Sequence, residues 1–423
     1  MDRRVVITGL GVVAPNGVGV PAFTNAVKMG ISGISHDRQL QDLQFSCQIA
    51  GKPEITENMK LSYFSELELR GFNSTGILYG VIAGLEAWAD AKLPSNGPEP
   101  DWDTGILFGS GTSGVDKFRE SIYKIDDLQT RRLGSNVVAQ TMNSGISAYL
   151  GGKLGAGNQV TTNSSACVTG TESILMAFDR IRSGQAKRML AGSTGESGPY
   201  IWAGFDAMRV CTFRHNDTPE KGSRPMSASA SGFVPGSGAG AMVLEDLESA
   251  IQRDAPIYAE VLGGNVNSGG QRGEGTMTAP NSAAVQRCIT EALKKAGVKG
   301  KDIDAINGHL TATSKDSLEI ENWAEALDRR EADFPYINSL KSMTGHCLSG
   351  AGSIECVASV LQLYDGFIFP NINCEDLHPE IASVINPSCV PSGLIIKNIN
   401  LLAKASFGFG DVNACIIFKK YKN

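Results

Sequence analysis

The stretch QVTTNSSACVTGTESILMA, Gln159 to Ala177, decides the fold. It opens as a short β-prone run (Gln159-Val160-Thr161-Thr162) and closes as an amphipathic helix. Ile174, Ala177, Phe178 and Ile181 recur at helical spacing, so a helix is expected from about Ala166, with Gly184 as its stop. Cys167 falls at that helix start among small neighbours. Unpaired N–H groups and the helix dipole favour negative charge there, so a thiolate of lowered pKa is expected. A buried structural cysteine is the plain alternative, and the rest of the chain has to decide between them.

The same layout returns in the second half of the chain. Tyr336-Ile337-Asn338-Ser339 reads as a strand, Leu340 to His346 as a polar turn, and Ile354, Val357, Ala358 and Leu361 as the buried face of a helix ended by Asp365-Gly366. Thr104 to Gly111 and Ile303 to Thr313 form a second corresponding pair. The chain therefore reads as two related βα halves, residues 1–250 and 251–423, with mostly parallel sheets covered by helices. Functional side chains in such folds collect where strands end, and Cys167, His309 and His346 all occupy strand exits.

Between these units lie a helix over Thr75–Ala91, a helix over 135–150 and a helix over Ala283–Ala296. Strands are expected at Arg4–Thr8, Arg188–Gly192, Ala239–Glu245 and Ile257–Gly263. Residues 30–74 carry no clear period, and 199–240 read as mostly loop. Gly9-Leu10-Gly11 with Ala14 matches a dinucleotide-binding pattern loosely, but no second strand ending in an acid follows it. Gly109 to Gly114 also matches, and its glycines are read as letting backbone pack beneath Cys167.

Composition narrows the function. The chain has 423 residues, 42% of them hydrophobic, enough for two cores. A net charge of −6 without a basic run argues against nucleic acid. Nine cysteines without framework spacing argue for a reducing compartment. Met1-Asp2-Arg3-Arg4 runs straight into a strand, so a cytoplasmic protein without signal peptide or membrane span is expected. Of five histidines, His309 and His346 sit in Gly- and Thr-rich turns. Zinc would call for Cys-x-x-Cys or His-Glu-x-x-His spacing, and a serine hydrolase for a Gly-x-Ser-x-Gly elbow; neither is found. A cysteine nucleophile assisted by histidines is left.

Ser165-Ala166-Cys167-Val168-Thr169-Gly170, Asn307-Gly308-His309, Lys341-Ser342-Met343-Thr344-Gly345-His346 with Glu355, and Phe407-Gly408-Phe409-Gly410 together resemble the motifs of β-ketoacyl-[acyl carrier protein] synthases. The resemblance covers nearly the whole chain and is closest to the elongating, Cys-His-His branch. It implies the thiolase-like fold, two duplicated halves in five αβαβα layers. It implies decarboxylative condensation, with Cys167 as acyl carrier, His309 and His346 as enolate donors, and Lys341 paired with Glu355. The N–H groups of Cys167 and Phe409 would form an oxyanion hole, with Phe409 as gate and Thr311, Thr313 and Phe407 in support. No cofactor and no metal-ligating residue is expected. Its partners would be acyl- and malonyl-loaded acyl carrier protein, docked near Arg209, and a second subunit in a homodimer or a related heterodimer.

The departures are specific. His309-Leu310-Thr311 stands where His-Gly-Thr is usual, in a loop one residue shorter before Asp316 and Glu319, which leaves a structural cation there open. Ser227, Ala230, Ser231 and Ser237 replace patterned, mostly charged positions, and Asp411-Val412 stands where Gly-Thr is typical. These point to a divergent member, in fatty-acid or specialised polyketide or polyene synthesis. A non-catalytic chain-length-factor-like subunit is the second reading, opposed by the retained Cys167, His309 and His346.

Overall fold

The computed structural model describes residues 3–94 and 97–422, so Met1-Asp2, at the start of the expected leaderless N-terminus, lies outside them. Ten strands form the main path of one sheet: β1 (Val5–Ala14), β2 (Thr104–Ser110), β3 (Val160–Thr161), β4 (Arg188–Gly195), β5 (Gly238–Asp246), β6 (Ala259–Ser268), β7 (Ala305–Asn307), β8 (Tyr336–Asn338), β9 (Leu401–Gly408) and β10 (Val412–Lys420). Seven helices matter here: α1 (Thr75–Asp90), α2 (Val115–Asp126), α3 (Thr169–Arg182), α4 (Pro199–Ala207), α5 (Ser282–Ala296), α6 (Asp316–Leu327) and α7 (Ala351–Asp365).

The strand order is β8-β7-β9-β10-β6-β1-β5-β4-β2-β3. Read outward from the middle it is the same five-strand order twice, β1-β5-β4-β2-β3 and β6-β10-β9-β7-β8. The directions repeat as well. β1–β5 and β6–β10 are antiparallel, as are β4–β5 and β9–β10, while β2 and β7 pair in parallel with both neighbours. The two five-strand units meet only along a short seam, where Val5–Ile7 pairs with Ala259–Val261 beside a bulge on each side. Each unit is thus half antiparallel, not mostly parallel. The reason is visible at β9 to β10, where the chain turns back through Phe409-Gly410-Asp411 with no crossover helix.

α3 and α7 pack on each other and on both units, while α1 covers the outer face of the first unit and α5 with α6 covers the second. This stacking gives five layers. α7 is buried from Ala351 through Leu363, and it contributes Ile354, Val357 and Leu361 to the core. The two central helices approach at glycine. A Cβ on Gly170 would sit 2.2 Å from the Ser353 amide nitrogen, so only glycine fits that crossing.

The local expectations hold for α1, α3, α5 and α7 and for strands β1, β2, β4, β5, β6, β7 and β8, and they miss in a few places. Gly9 and Gly11 lie inside a ten-residue strand, where α1 backbone approaches them, so no phosphate turn exists there. The helix expected over 135–150 is two helices, Val137–Thr141 and Gly145–Leu154. Residues 30–74 hold two short strands and three short helices. Residues 199–240 hold α4, whose start carries Pro199, a residue suited to the first helical turn because its missing N–H would be unpaired anyway. Among the described residues, no helix is long and apolar enough to cross a membrane.

Candidate active site

Cys167 sits in a single 3-10 turn, Ala166–Val168, that leads into α3. The turn is held at a left-handed Ala166 (φ 50°) immediately before the cysteine. Thr169 fixes it: its hydroxyl accepts from the Ser165 N–H at 2.9 Å and donates to the Ala166 carbonyl at 2.7 Å. Glu172 accepts from the Asn163 amide at 3.0 Å and from the Ser165 hydroxyl. Beneath this turn, a Cβ on Gly109 would strike Thr169 and Asn163, which bears out the close-packing reading for that glycine, while Gly111 meets Ser349 and Gly114 meets Gln140.

Three elements bring the other groups in. β7 delivers His309, the short helix Lys341–Thr344 delivers His346, and the β9–β10 turn delivers Phe409. The Cys167 sulfur and ring nitrogens of His309 and His346 all lie within 4.8 Å of one another, and the two imidazole centroids are 5.4 Å apart, edge to face. They open onto a cavity of about 290 Å³, lined also by Thr311, Thr313, Phe407 and Phe409. The trio is also a set of three metal-ligand types.

That thiol corrects the expected thiolate. Burial pushes Cys167 up to about 11, although Lys341 and the backbone N–H groups of Phe409 and Cys167 itself pull the other way. α3 proper begins two residues beyond the sulfur, and aromatic rings wall the cavity that it lines. Phe409, Phe205, Phe233, His346 and His309 follow one another at ring spacings of 5.3 to 5.9 Å, with Phe407 6.1 Å from His309. Desolvation of the charged form therefore outweighs the dipole.

The imidazoles are shaped for donation. The Leu348 N–H donates to His346 Nδ1 at 3.3 Å, so a neutral ring carries its proton on Nε2. Burial holds both imidazoles well below the ordinary histidine range, and Lys341 and Lys404 add to the effect. Lys341 Nζ donates to the His309 carbonyl at 2.6 Å and pairs with Glu355 Oε1, both residues being buried. The motif-derived Lys341–Glu355 pair is thus present and is not a surface ion pair.

The departures have structural answers. The loop after His309 wraps two buried carboxylates. Glu319 accepts from the N–H groups of His309 (2.6 Å) and Leu310 (2.7 Å). Asp316 accepts from Thr311, Ala312, Thr313 and Met226. All four carboxylate oxygens accept from backbone N–H groups and so hold the loop. Burial pushes Glu319 up to about 7. The segment 223–232, short of acids of its own, draws on Asp376, which accepts from Ser227, Ser229 and Arg224 and is held down to about 2. Asp411 is buried at φ 60° and accepts from the Gln271 N–H (3.0 Å) and Asn281 N–H (2.9 Å), clasping the 269–281 loop whose Thr278 and Pro280 line the cavity.

Arg209 is exposed just past α4, at φ 57°, beside the cavity residue Val210. Residues that sequence reasoning missed are Lys315 at the cavity mouth, Leu348 behind His346, and Lys404, wholly buried against Glu355. Cys415 is a core residue of β10, as its strand context suggested.

Comparison with known proteins agrees with this geometry. The description "Beta-ketoacyl synthase, N-terminal domain" matches residues 2–250, and "Beta-ketoacyl synthase, C-terminal domain" matches 258–375. The chain belongs to the β-ketoacyl synthase family. Curated β-ketoacyl synthase relatives include 3-oxoacyl-[acyl-carrier-protein] synthase 2 of Rhizobium meliloti, 33% identical over 99% of both chains. Another is synthase 1 of Escherichia coli, 32% identical over 100% of both. Among solved structures, a β-ketoacyl synthase from Burkholderia phymatum superposes with a TM-score of 0.90 at 26% identity, over 99% of this chain and 100% of that one. A type II polyketide ketosynthase solved with its acyl carrier protein and a hexaketide gives 0.87 at 28% identity over 100% of both.

Proposed function

We propose that this β-ketoacyl synthase condenses an acyl thioester with malonyl-[acyl carrier protein], in fatty-acid or polyketide assembly, to give a 3-ketoacyl-[acyl carrier protein]. The carrying observation is the meeting of the Cys167 sulfur with two neutral imidazoles in one aromatic-walled cavity. In this reading residues 1–250 supply the nucleophile and residues 251–423 both histidines.

Cys167 sulfur attacks the acyl thioester carbonyl. The N–H groups of Cys167 and Phe409, which face the sulfur, hold the tetrahedral oxyanion. Collapse breaks the old C–S bond, and the cysteine proton leaves with the carrier thiol. Malonyl thioester then enters past Thr311 and Thr313. Its C–C bond to the carboxylate breaks, carbon dioxide departs, and the electron pair becomes an enolate. His346 Nε2–H and His309 donate to the enolate oxygen. The carbanion attacks the acyl-cysteine and expels the Cys167 sulfur as a thiolate, which takes a proton from solvent to restore the thiol. Lys341, held by Glu355, fixes the His309 carbonyl and acts on position, not on substrate.

Arg209 and Lys315 meet the acidic carrier at the cavity mouth. The second subunit covers α2, which exposes Phe118, Ile122, Tyr123 and Ile125 next to an outward Leu128, apolar side chains that a partner would bury. Intact-protein mass spectrometry tests the chemistry. Acyl carrier protein must load Cys167 and leave Cys167→Ala unmodified, and added malonyl carrier must release carbon dioxide with a product two carbons longer. An unloaded Cys167 across acyl lengths favours the silent-subunit reading. Light scattering separates a dimer from a monomer.

A further inference from the structure

The Lys341–Glu355 pair has a third member. Lys404 is wholly buried on β9, in register with Asn307, two residues before His309 on β7. Its Nζ lies 2.7 Å from Glu355 Oε2, while Lys341 takes Oε1. Two ammonium groups thus face one carboxylate in the core, an arrangement that desolvation opposes unless further acceptors are supplied. They are: Lys404 Nζ donates to the Ser406 hydroxyl at 3.0 Å and to the Ala405 carbonyl. Ser406 Oγ is in turn 2.9 Å from Thr171 Oγ1 on α3, the helix that leaves Cys167. At the other end Lys341 Nζ donates to the His309 carbonyl. A continuous buried polar chain therefore runs from His309 through Lys341, Glu355, Lys404 and Ser406 to Thr171, joining the half that carries the histidines to the helix that follows the nucleophile.

We propose that Lys404 is a positioning residue for the condensation: it completes Glu355, ties the His309 strand to the Cys167 helix, and places a second fixed cation behind the two imidazoles. The inference rests on the function proposed above. The charged and titratable groups packed around those imidazoles are Lys341, Lys404, Glu355, Glu319, Asp316 and Cys167, and each imidazole also faces the other. Both ammonium groups oppose protonation of both rings.

Lys404→Met removes the charge and keeps the length, leaving a balanced Lys341–Glu355 pair. Two readouts decide. In protein labelled with 13C-histidine, which has only five such residues, the His309 and His346 signals must titrate at higher pH in Lys404→Met, by on the order of one unit. The acid limb of malonyl-carrier decarboxylation must move up with them. Unshifted titration, or lower activity on an unshifted pH profile, overturns the proposal. Ser406→Ala keeps the charge and cuts the link to Thr171. It must slow acyl loading of Cys167 severalfold and leave the histidine titrations unmoved; unchanged loading overturns the linkage even where Lys404→Met does not fold. Failure of wild-type protein to load or condense would sink the function itself, a separate result, since the histidine titrations are read without substrate.

Discussion

The resting state of Cys167 is open to direct measurement. A thiol at about 11, against 9.0 for an unperturbed one, is a thiolate in about one molecule in 4000 near pH 7.4, where a free thiol would be one in about 40. Alkylation by iodoacetamide at neutral pH should therefore be about a hundredfold slower than for an exposed cysteine of equal access. Its initial rate, followed by peptide mass spectrometry, should climb about tenfold per pH unit up to about pH 10. Cys374, the other half-buried cysteine, is resolved by its own peptide, and the remaining seven are buried. Lys341→Ala should flatten Cys167 reactivity further, because Lys341 is the largest influence favouring the thiolate. A rate that levels off at or below about pH 8 would refute the reasoning: the helix start and the two N–H groups would then outweigh burial, and the enzyme would carry a preformed thiolate.

Four further outcomes follow from the packing. Glu355→Gln leaves Lys341 and Lys404 buried without a counter-ion and should cost about 3–5 kcal/mol in urea unfolding, more than Lys404→Met, which leaves a matched pair; equal losses would contradict the three-member cluster. Because the folded-state pKa of His346 is depressed, its stabilisation is full above about pH 6.5 and is lost as pH falls below that value. Wild type should therefore lose more stability between about pH 7 and 5 than His346→Gln, by urea midpoint, and parallel losses would rule this out. Asp411→Ala frees two loop amides from a carboxylate and should speed hydrogen exchange across 269–281 about tenfold or more, with β9 and β10 unaffected. Gly170→Ala forces a Cβ onto the α7 backbone and should destabilise by about 1–3 kcal/mol or abolish folding, whereas a silent substitution would mean that α3 and α7 are further apart than described.

What the sequence disclosed and what it hid divide along one physical line. The β3–Cys167–α3 and β8–His346–α7 units were readable because each obeys local rules: a short β-prone run, a polar turn, then apolar residues at helical spacing. Their occupying equivalent places, β3 and β8, at the two ends of the strand order is the same duplication seen in space. The break at Met142-Asn143-Ser144 and the helix behind Pro199 are also local matters, and Pro199 was a signal that could have been used.

Properties that depend on the other half were not readable. Cys167 carries a helix-start signature, yet Phe409 and His346, from the second half, and Phe205 and Phe233, far along the first, desolvate it. No pattern near residue 167 contains those rings. Lys404 is the sharper case. Lys404 stands alone among apolar residues in Leu401-Leu402-Ala403-Lys404-Ala405, on a strand that lies inside the layers, with α7 on the face that Lys404 meets. A strand covered on both faces leaves a charged residue no solvent side, so it must find a partner, and Glu355 is one. The useful signal is therefore relational: a lysine within a strand that the layer order makes central, together with a glutamate inside a helix otherwise buried along its length. Where both occur, an ion pair across layers is the economical reading, and the residues it joins are those whose placement the chemistry requires.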